Sequence, residues 1–466
     1  MNASDNNLDG RLQRLEAKNS RLEEDNNRLR EENRLLKLQI EEFRQKFFKK
    51  DIPPPEDDDP SHPPKKRGAP VGHIGTTRKT PDHADEHVDV RLNQCPECGG
   101  TDLSACQRYE DHYQEDIVLP QVRVTRFRHH FYYCRHCKEV VYGVGQGELP
   151  GSYIGPVAKS VAAFLRYQMK IPYRKVRQLF RELFNLSFVP SSGPGFDQQI
   201  RNRGSPLYEQ LRQSLSSQPF IHADETGWRN EGVNHWLWCF IAPNRVIYHI
   251  DRSRGGKVVA ALLGKQYAGV LISDFLAAYN QIQARKQRCL VHLLRLIKKW
   301  QVYFAGDRKR SKQFAHLKKQ VKSIMALSQQ MAEKRPQRFI DRKADLIAQL
   351  RRALRVTVGH PRADKFLRKL SGRINELVTC LDDPQICAHN NLAERLLRDN
   401  VIMRKITFGN RSLYGNGQRN HEVLMSLIQT ARQLNLNPLT FLHLLLTKPA
   451  AAATLLLPAP APASSR

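Results

Sequence analysis

The stretch PFIHADETGWRNEGVNHWLWCFIAPNRVIYHIDRSRGGKVVAALLGKQYAGVLISDFLAAYNQIQARKQRCLVH, residues 219–292, decides the fold. It opens on PFIHAD, an apolar run expected to be a strand that ends at Asp224. NHWLWCFIAPNRVIYHID reads as a β-hairpin turning at APNR, because both arms are rich in aromatic and β-branched residues. KVVAALLG is expected to be a short helix, and GVLISD a buried strand that ends at Asp274. AAYNQIQARK is expected to be helical, and QRCLVH to be the fifth strand.

Three antiparallel strands followed by helix, strand, helix and strand is the plan of an α/β ribonuclease-H-like sheet. On that plan carboxylates stand at the ends of the first and fourth strands. Hard Mg²⁺ ions choose oxygen ligands. Two of them, roughly 4 Å apart, suit an in-line phosphodiester exchange. Asp224 and Asp274 on rigid strands are candidate ligands, and a third acid is expected on a following helix. HNNLAERLLRDNVI, residues 389–402, offers it: Leu392, Leu396 and Leu397 form a packed face, while Glu394 points elsewhere. Two alternatives stay open on the residues alone. Glu394 could instead pair with Arg398 one helical turn on, and Glu225 could be the ligand in place of its neighbour Asp224. The catalytic domain is read as 215–298 and 386–445.

Between its halves lies an all-helical, Lys/Arg-rich insertion, 299–385, expected to lie against DNA near the cut. Beyond it, residues 446–466 are low in complexity and expected to be disordered. Upstream, residues 151–205 read as a helix-turn-helix-like DNA-binding module or a helical spacer. Arg174, Lys175 and Arg177, with Arg201 and Arg203, give that module a basic face.

Residues 91–147 carry CPECGG and CRHC, that is Cys95, Cys98, Cys134 and Cys137. Two Cys-x-x-Cys pairs match knuckles that present four thiolates to one tetrahedral structural zinc. The intervening YEDHYQEDIVLP and VRVTRFRHHFYYC read as strands of a small β module, with Arg123, Arg126 and Arg128 as DNA contacts. Cys106, Cys239, Cys289, Cys380 and Cys387 read as packing residues. Cys289 and His292 are spaced as metal ligands, but a lone Cys-x-x-His is a weak signal. Residues 49–90 form a proline-rich, basic, flexible linker. In it Lys65, Lys66 and Arg67 either follow a DNA minor groove or serve as a solvated spacer.

The first segment, 6–48, repeats in sevens. Leu8, Leu15, Leu22, Leu29, Leu36 and Phe43 fill d, and Leu12, Asn19, Asn26, Asn33, Ile40 and Phe47 fill a. Leucine at d with asparagine at a specifies a parallel, in-register dimer. The pairs Arg11–Glu16, Lys18–Glu23, Asp25–Arg30 and Glu32–Lys37 would then all join opposite charges between chains. A homodimeric leucine-zipper coiled coil is expected.

The bulk numbers agree with a nucleic-acid partner. Among 466 residues, 75 Lys+Arg against 46 Asp+Glu leave a net charge of +29, which favours polyanions. No apolar run reaches membrane-spanning length and no secretory leader opens the chain. A cytoplasmic, nucleoid-associated bacterial protein without a membrane partner is expected. In that reducing compartment nine cysteines are thiols or metal ligands, not disulfides.

HADETGWR at 222–229, SDFLAAYN at 273–280, CLVHLLR at 289–295, HNNLAERLLRDNVIMRKITFGN at 389–410 and the helix HEVLMSLIQTARQLNLNP resemble motifs of the insertion sequence 66 family of bacterial transposases. That resemblance implies a zipper, a zinc-binding domain and a DDE catalytic domain. Asp224, Asp274 and Glu394 would take the DDE roles, with two Mg²⁺ ions, or Mn²⁺ in their place. His389 departs from the family pattern, which usually has an acid there. The expected activity is metal-dependent cleavage at transposon ends and strand transfer into target DNA, with accessory transposition proteins as further partners. Two other functions fit parts of the sequence: a catalytically inactive dimeric zinc-binding DNA-binding protein, and a ribonuclease-H-fold nuclease that cuts without joining.

Overall fold

A computed structural model describes residues 122–330, 336–411 and 416–457, with short pieces at 23–25 and between 81 and 113. The chain divides into two units, Met1–Glu115 and Asp116–Arg466. In the first, residues 23–25 are helical. The rest of the expected coiled coil lies outside the described residues, as do Lys65, Lys66, Arg67, Cys95 and Cys98.

The second unit begins with a short antiparallel hairpin, β1 (Phe131–Tyr133) and β2 (Val140–Tyr142). The strand expected over residues 122–134 is confined to Phe131–Tyr133; residues 122–130 are irregular and, His129 apart, exposed. Helices α1 (Pro156–Tyr167), α2 (Tyr173–Phe184) and α3 (Ser192–Gln213) follow. Ala162, Val176, Phe180, Phe188 and Phe196 give these helices a small core of their own. The expected boundary at residue 205 does not exist, however. Helix α3 runs straight through it, and its Ile200, Leu207, Tyr208 and Leu211 join the main core.

The central sheet contains β3 (Phe220–Asn230), β4 (Val233–Ala242), β5 (Arg245–Asp251), β6 (Gln266–Ser273) and β7 (Gln283–Arg288), in the order β5-β4-β3-β6-β7. β3, β4 and β5 are antiparallel; β6 and β7 add in parallel. Helix α4 (Gly256–Leu263) connects β5 to β6. The element order expected from 219–292 holds, with two corrections. β3 does not stop at Asp224 but continues to Asn230, because residues 222–230 pair without a break against β4. The fifth strand is QARKQR, residues 283–288, not QRCLVH, and the expected helix before it shrinks to a 3₁₀ turn, Ala277–Gln281. β7 is an edge strand whose charged residues can face solvent, so apolar patterning never marked it. Cys289 instead opens helix α5 (Leu290–Tyr303), with Leu290, Leu293 and Ile297 on its buried face.

Two hydrophobic cores pack against the sheet, and the larger takes in consecutive residues of β4, Leu237 to Ala242, from both of its faces. Ile221, Ala223 and Leu271 pack with Leu397, Leu427 and Leu442 in one. Val270 and Ile272 pack with Leu290, Leu293, Ile297, Phe314 and Leu350 in the other. The second core belongs to α5, α6 (Arg308–Gln329), α7 (Pro336–Arg355), α8 (Pro361–Ser371) and α9 (Ile374–Val378). The all-helical insertion is therefore seated on the sheet, and its packing starts at Leu290, ahead of the expected boundary.

α10 (Asn391–Thr407) lies on the Asp224 side of β3, where Tyr248 OH, level with Cys239 and Asp224 across the strands, donates to Leu396 O at 3.0 Å. α11 (Asn416–Gln433) joins it in the larger core. α11 also seals the sheet edge, since Glu422, Ser426 and Thr430 accept hydrogen bonds from the N–H groups of Ile250, Tyr248 and Val246. An otherwise unpaired strand edge is thus satisfied by side chains one helical turn apart. Gly204 lets α3 approach α11, because a Cβ there would stand 2.6 Å from Leu427 Cδ1. α12 (Pro438–Thr447) and α13 (Pro449–Leu456) end the described chain. The second of these lies in the tail expected to be disordered. AAAATLL is helical there because Ala452 and Leu456 are buried in the main core. No helix among the described residues is long and apolar enough to cross a membrane.

Candidate active site

β3 and β6 run in parallel with His222 opposite Ile272. Two residues further along each chain come Asp224 and Asp274, so the register brings both acids to one level at the end of the shared ladder. Alternation on β3 puts Ile221 and Ala223 on one face of the sheet and Asp224 on the other, level with Cys239.

Asp274 follows the last residue of β6, and its Oδ1 accepts a hydrogen bond from Leu276 N at 2.8 Å. A fully buried guanidinium holds this corner. Arg288 Nη1 donates to the Asp274 carbonyl at 2.7 Å and to Ser273 Oγ at 3.2 Å. Its Nη2 donates to Asn280 Oδ1 at 2.6 Å, and its Nε to Glu376 Oε2 at 2.6 Å. The planar fork ties together the end of β6, the 3₁₀ turn and α9.

Glu394 enters on the first turn of α10, and the residue that caps this helix fixes where it begins. Asn390 is fully buried. Its Nδ2 donates to Ala223 O at 2.9 Å, its Oδ1 meets His222 Nδ1 at 3.0 Å, and its backbone N–H donates to Cys289 Sγ at 3.2 Å. Three segments, β3 and the starts of α5 and α10, meet at this one residue, next to Asp224. Burial pulls the His222 imidazole down to about 4, so at neutral pH it is an uncharged partner of Asn390. Burial also pushes the Cys289 thiol up; Cys289 is therefore a packing and hydrogen-bonding residue.

The electrostatics separate two adjacent acids. Asp224 has its carboxyl pushed up to about 8, first by burial and then by Glu225, with further repulsion from Asp274 and Glu394; only the Glu225 N–H opposes this. Among the described residues neither Asp224 nor Asp274 has a cationic partner. Glu394 Oε1 is buried without a hydrogen-bond partner. His292 Nε2 stands 3.5 Å from it, and Arg295 Nη2 stands 3.8 Å from Oε2. Glu225, by contrast, is fully engaged. Its Oε1 takes Arg254 Nε and Nη2 at 3.0 and 2.8 Å, and its Oε2 takes Tyr279 OH at 2.7 Å. Glu225 thus has a cation and a hydroxyl donor of its own, and Asp224 has neither.

As the side chains stand, no group of three or more His, Cys, Asp or Glu among the described residues closes on a common point. The donor set nonetheless fits hard cations. Mutually repelling carboxylates and an orphaned Glu394 oxygen are relieved by positive charge between them.

Away from this site, Cys134 and Cys137 lie on the β1–β2 turn. Cys134 N donates to Glu139 O at 2.9 Å, and Lys138 N to Cys134 O at 2.8 Å. The backbone N–H of Cys137, then its side chain and the N–H of His136, hold the Cys134 thiol below its usual range. N–H groups aimed at sulfur favour the thiolate, the form that ligates zinc. Arg123, Arg126 and Arg128 are exposed just before β1, and Arg174, Lys175 and Arg177 are exposed at the start of α2.

Asn390, His222, Arg288 and the Arg254–Tyr279 pair were not singled out from the sequence. His222 and Asn390 do lie inside HADETGWR and HNNLAERLL, two positions before Asp224 and four before Glu394. That placement is the one signal that could have flagged them.

Acids gathered at one end of a mixed five-stranded sheet are compatible with an α/β nuclease-like domain. Residues 151–416 match the family described as Transposase IS66 family, and the chain belongs to that family. It is 35% identical over 86 residues to the uncharacterized protein y4jO of Sinorhizobium fredii, covering 18% of this chain and 26% of that protein. It is 23% identical over 435 residues to the uncharacterized protein y4jD of the same organism, covering 81% of this chain and 78% of that one. Family membership makes this a transposase-type protein and implies that it binds DNA.

Proposed function

We propose that this chain is a DDE transposase that cleaves DNA at transposon ends and joins the freed 3′ ends to target DNA in the bacterial cytoplasm. Its sheet is read as ribonuclease-H-like, with Asp224, Asp274 and Glu394 as the ligands of two Mg²⁺ ions. One observation carries the reading: Asp274 and Glu394, from separate elements, lie near enough to Asp224 to repel its charge, while the neighbouring acid, Glu225, is paired with Arg254. Bound there, the ions supply an activated attacking oxygen and stabilisation of the leaving oxygen.

The chain's own residues set the geometry. Arg288 fixes the backbone of Asp274, Asn390 fixes the helix that carries Glu394, and the β3–β6 register fixes Asp224. Arg295, more than half exposed beside Glu394, is placed to meet a backbone phosphate. In the first step water attacks the end phosphodiester, its P–O3′ bond breaks, and a 3′-hydroxyl is released. In the second that hydroxyl attacks a target phosphodiester, so one P–O bond forms as another breaks, without ATP or an enzyme-linked intermediate.

Cys134 and Cys137, with Cys95 and Cys98, are proposed to hold one structural zinc, and residues 6–48 to pair two copies of the chain. Metal analysis of protein purified without chelator should return one zinc per chain, falling in Cys134→Ser; its absence from the unmutated protein would remove the zinc. Sedimentation should give a dimer that weakens when residues 1–50 are deleted.

The deciding experiment mixes full-length protein, DNA carrying the element's own ends, and Mg²⁺. Strand-transfer products are expected. Cleavage without joining would make the protein a nuclease, and binding without either would make it an inactive DNA-binding protein.

A further inference from the structure

Helix α5 carries a stripe that the chemistry at its start does not exhaust. His292, Arg295, Leu296, Lys299 and Tyr303 fall within about 100° of one another at 100° per residue. They lie away from the Leu290, Leu293 and Ile297 face that packs in the insertion core. The stripe starts beside Glu394, where His292 and Arg295 stand. It ends at Tyr303, eleven residues on, or roughly 16 Å at 1.5 Å per residue. In a stacked DNA strand that is about five nucleotides.

At its far end lies a cavity of about 550 Å³, lined by Leu296, Lys299, Trp300 and Tyr303 from α5 and by His360 and Arg362 from the start of α8. Pockets for small ring systems span roughly 300–1,000 Å³. The walls are aromatic and braced. Trp300 stacks with Phe304 and Phe314, both with centroids at 5.9 Å and near-parallel rings. Tyr303 meets Trp300 edge-on at 5.7 Å and His360 at 5.3 Å, yet remains 64% exposed. His360 Nδ1 accepts the Ala363 N–H at 3.3 Å, which leaves Nε2 to donate to Tyr303 OH at 3.3 Å. The rim carries Lys299 and Arg362, both exposed. Asp364, the nearest acid in sequence, is occupied by the N–H groups of Val358 and His360.

We propose that this cavity receives one unstacked base of the DNA strand that passes the carboxylates, with Lys299 and Arg362 on the flanking phosphates. The proposal rests on the DNA reading above and extends it to a second site. A planar ring tethered to anionic phosphates is the ligand that an aromatic slot with a cationic rim selects, and stacking of this kind tolerates any base. Holding one base out of the stack would fix the strand's register against Asp224, Asp274 and Glu394.

The test uses full-length protein in EDTA with two duplexes of arbitrary sequence. One is blunt; the other carries a short unpaired 3′ extension containing 2-aminopurine. The extended duplex should bind roughly tenfold more tightly, with 2-aminopurine emission quenched on binding. Tyr303→Ala should lose both the preference and the quenching while holding the blunt duplex as before, and Tyr303→Phe should keep them. Photocrosslinking of iododeoxyuridine in the extension, done on the unmutated protein, should mark peptides containing Trp300 or Tyr303. Equal affinity for the two duplexes, an unchanged preference in Tyr303→Ala, or crosslinks confined to other peptides would overturn the pocket and leave the DNA reading standing. Failure to bind even the blunt duplex at low salt would overturn the DNA reading itself, and the pocket with it.

Discussion

Asp224 and Glu225 are consecutive residues of one strand, and their carboxylates end in opposite circumstances. Glu225 lies on the face of Ile221 and Ala223, where Arg254 and Tyr279 donate to its two oxygens. Asp224 turns to the other side of the sheet, where Asp274 and Glu394 repel it. A buried acid that serves the fold has a cation and donors of its own, because an uncompensated buried charge is costly. A buried acid left among other acids costs stability, and cations bound there would offset that cost. The contrast between the two sides of β3 separates the two acids more sharply than position along the chain does, and it is what the proposed role of Asp224 rests on.

The largest effect should come from the unpaired side. Asp224→Asn, Asp274→Asn and Glu394→Gln each keep the side chain's size and remove its charge. Each should lower cleavage and joining by at least about a hundredfold, with binding to the DNA ends retained. In metal-free protein Asp224→Asn should also raise thermal stability, by about 1 kcal/mol or more. A triad variant that still joins strands at a near-normal rate would break the comparison, as would one that unfolds.

The pH dependence follows from the same site. The folded Asp224 carboxyl is raised to about 8 from 3.8, so the native state holds a proton that the unfolded chain has released. The stability it lends is complete below about pH 4 and is lost as pH rises through about 8. Metal-free protein should therefore melt at progressively lower temperature from pH 5 to pH 9. Asp224→Asn should flatten that slope, and saturating Mg²⁺ should flatten it in the unmutated protein. A steeper slope in Asp224→Asn would show that another group is responsible.

Asn390 tests whether the unpaired side is held from beneath. Asn390→Ala leaves His222 Nδ1 and Ala223 O without their partner, which should cost about 1–3 kcal/mol of stability. With the start of α10 loosened, strand transfer should fall further than DNA affinity. Equal losses in the two would make Asn390 a residue of the fold alone.

The fold was legible where burial imposes a pattern. PFIHAD, the hairpin arms and GVLISD are apolar because both of their sides are covered, so three antiparallel strands and the next strand could be read directly. β7 could not, since an edge strand spelled QARKQR has no apolar alternation to display. α11 hid a different device: Glu422, Ser426 and Thr430 look like an ordinary polar face, yet they are buried and satisfy the backbone of β5. Asp224, Asp274 and Glu394 could be singled out from the sequence as candidates. What brings them near one another could not be read, because the register that levels Asp224 with Asp274 and the amide at the start of the Glu394 helix join residues far apart in sequence. His222 and Asn390 lie 168 positions apart.

The smallest effect should come from the satisfied side, where Glu225→Gln is the most discriminating variant. The amide keeps an acceptor for Tyr279 OH or for Arg254, but not for both in their present geometry, and the ion pair with Arg254 is gone. Arg254 is 47% exposed, so its guanidinium can turn to water, where it also rests against the Trp236 ring. The stability lost should thus be about 1 kcal/mol, the scale of one hydrogen bond. Removing the charge nearest Asp224 also eases its ionisation, so the acid limb of a pH–rate profile for cleavage should move to lower pH while the rate at high pH changes by less than about threefold. A hundredfold loss at every pH would mean that Glu225 touches the reaction, and the division between the two sides of β3 would have to be redrawn.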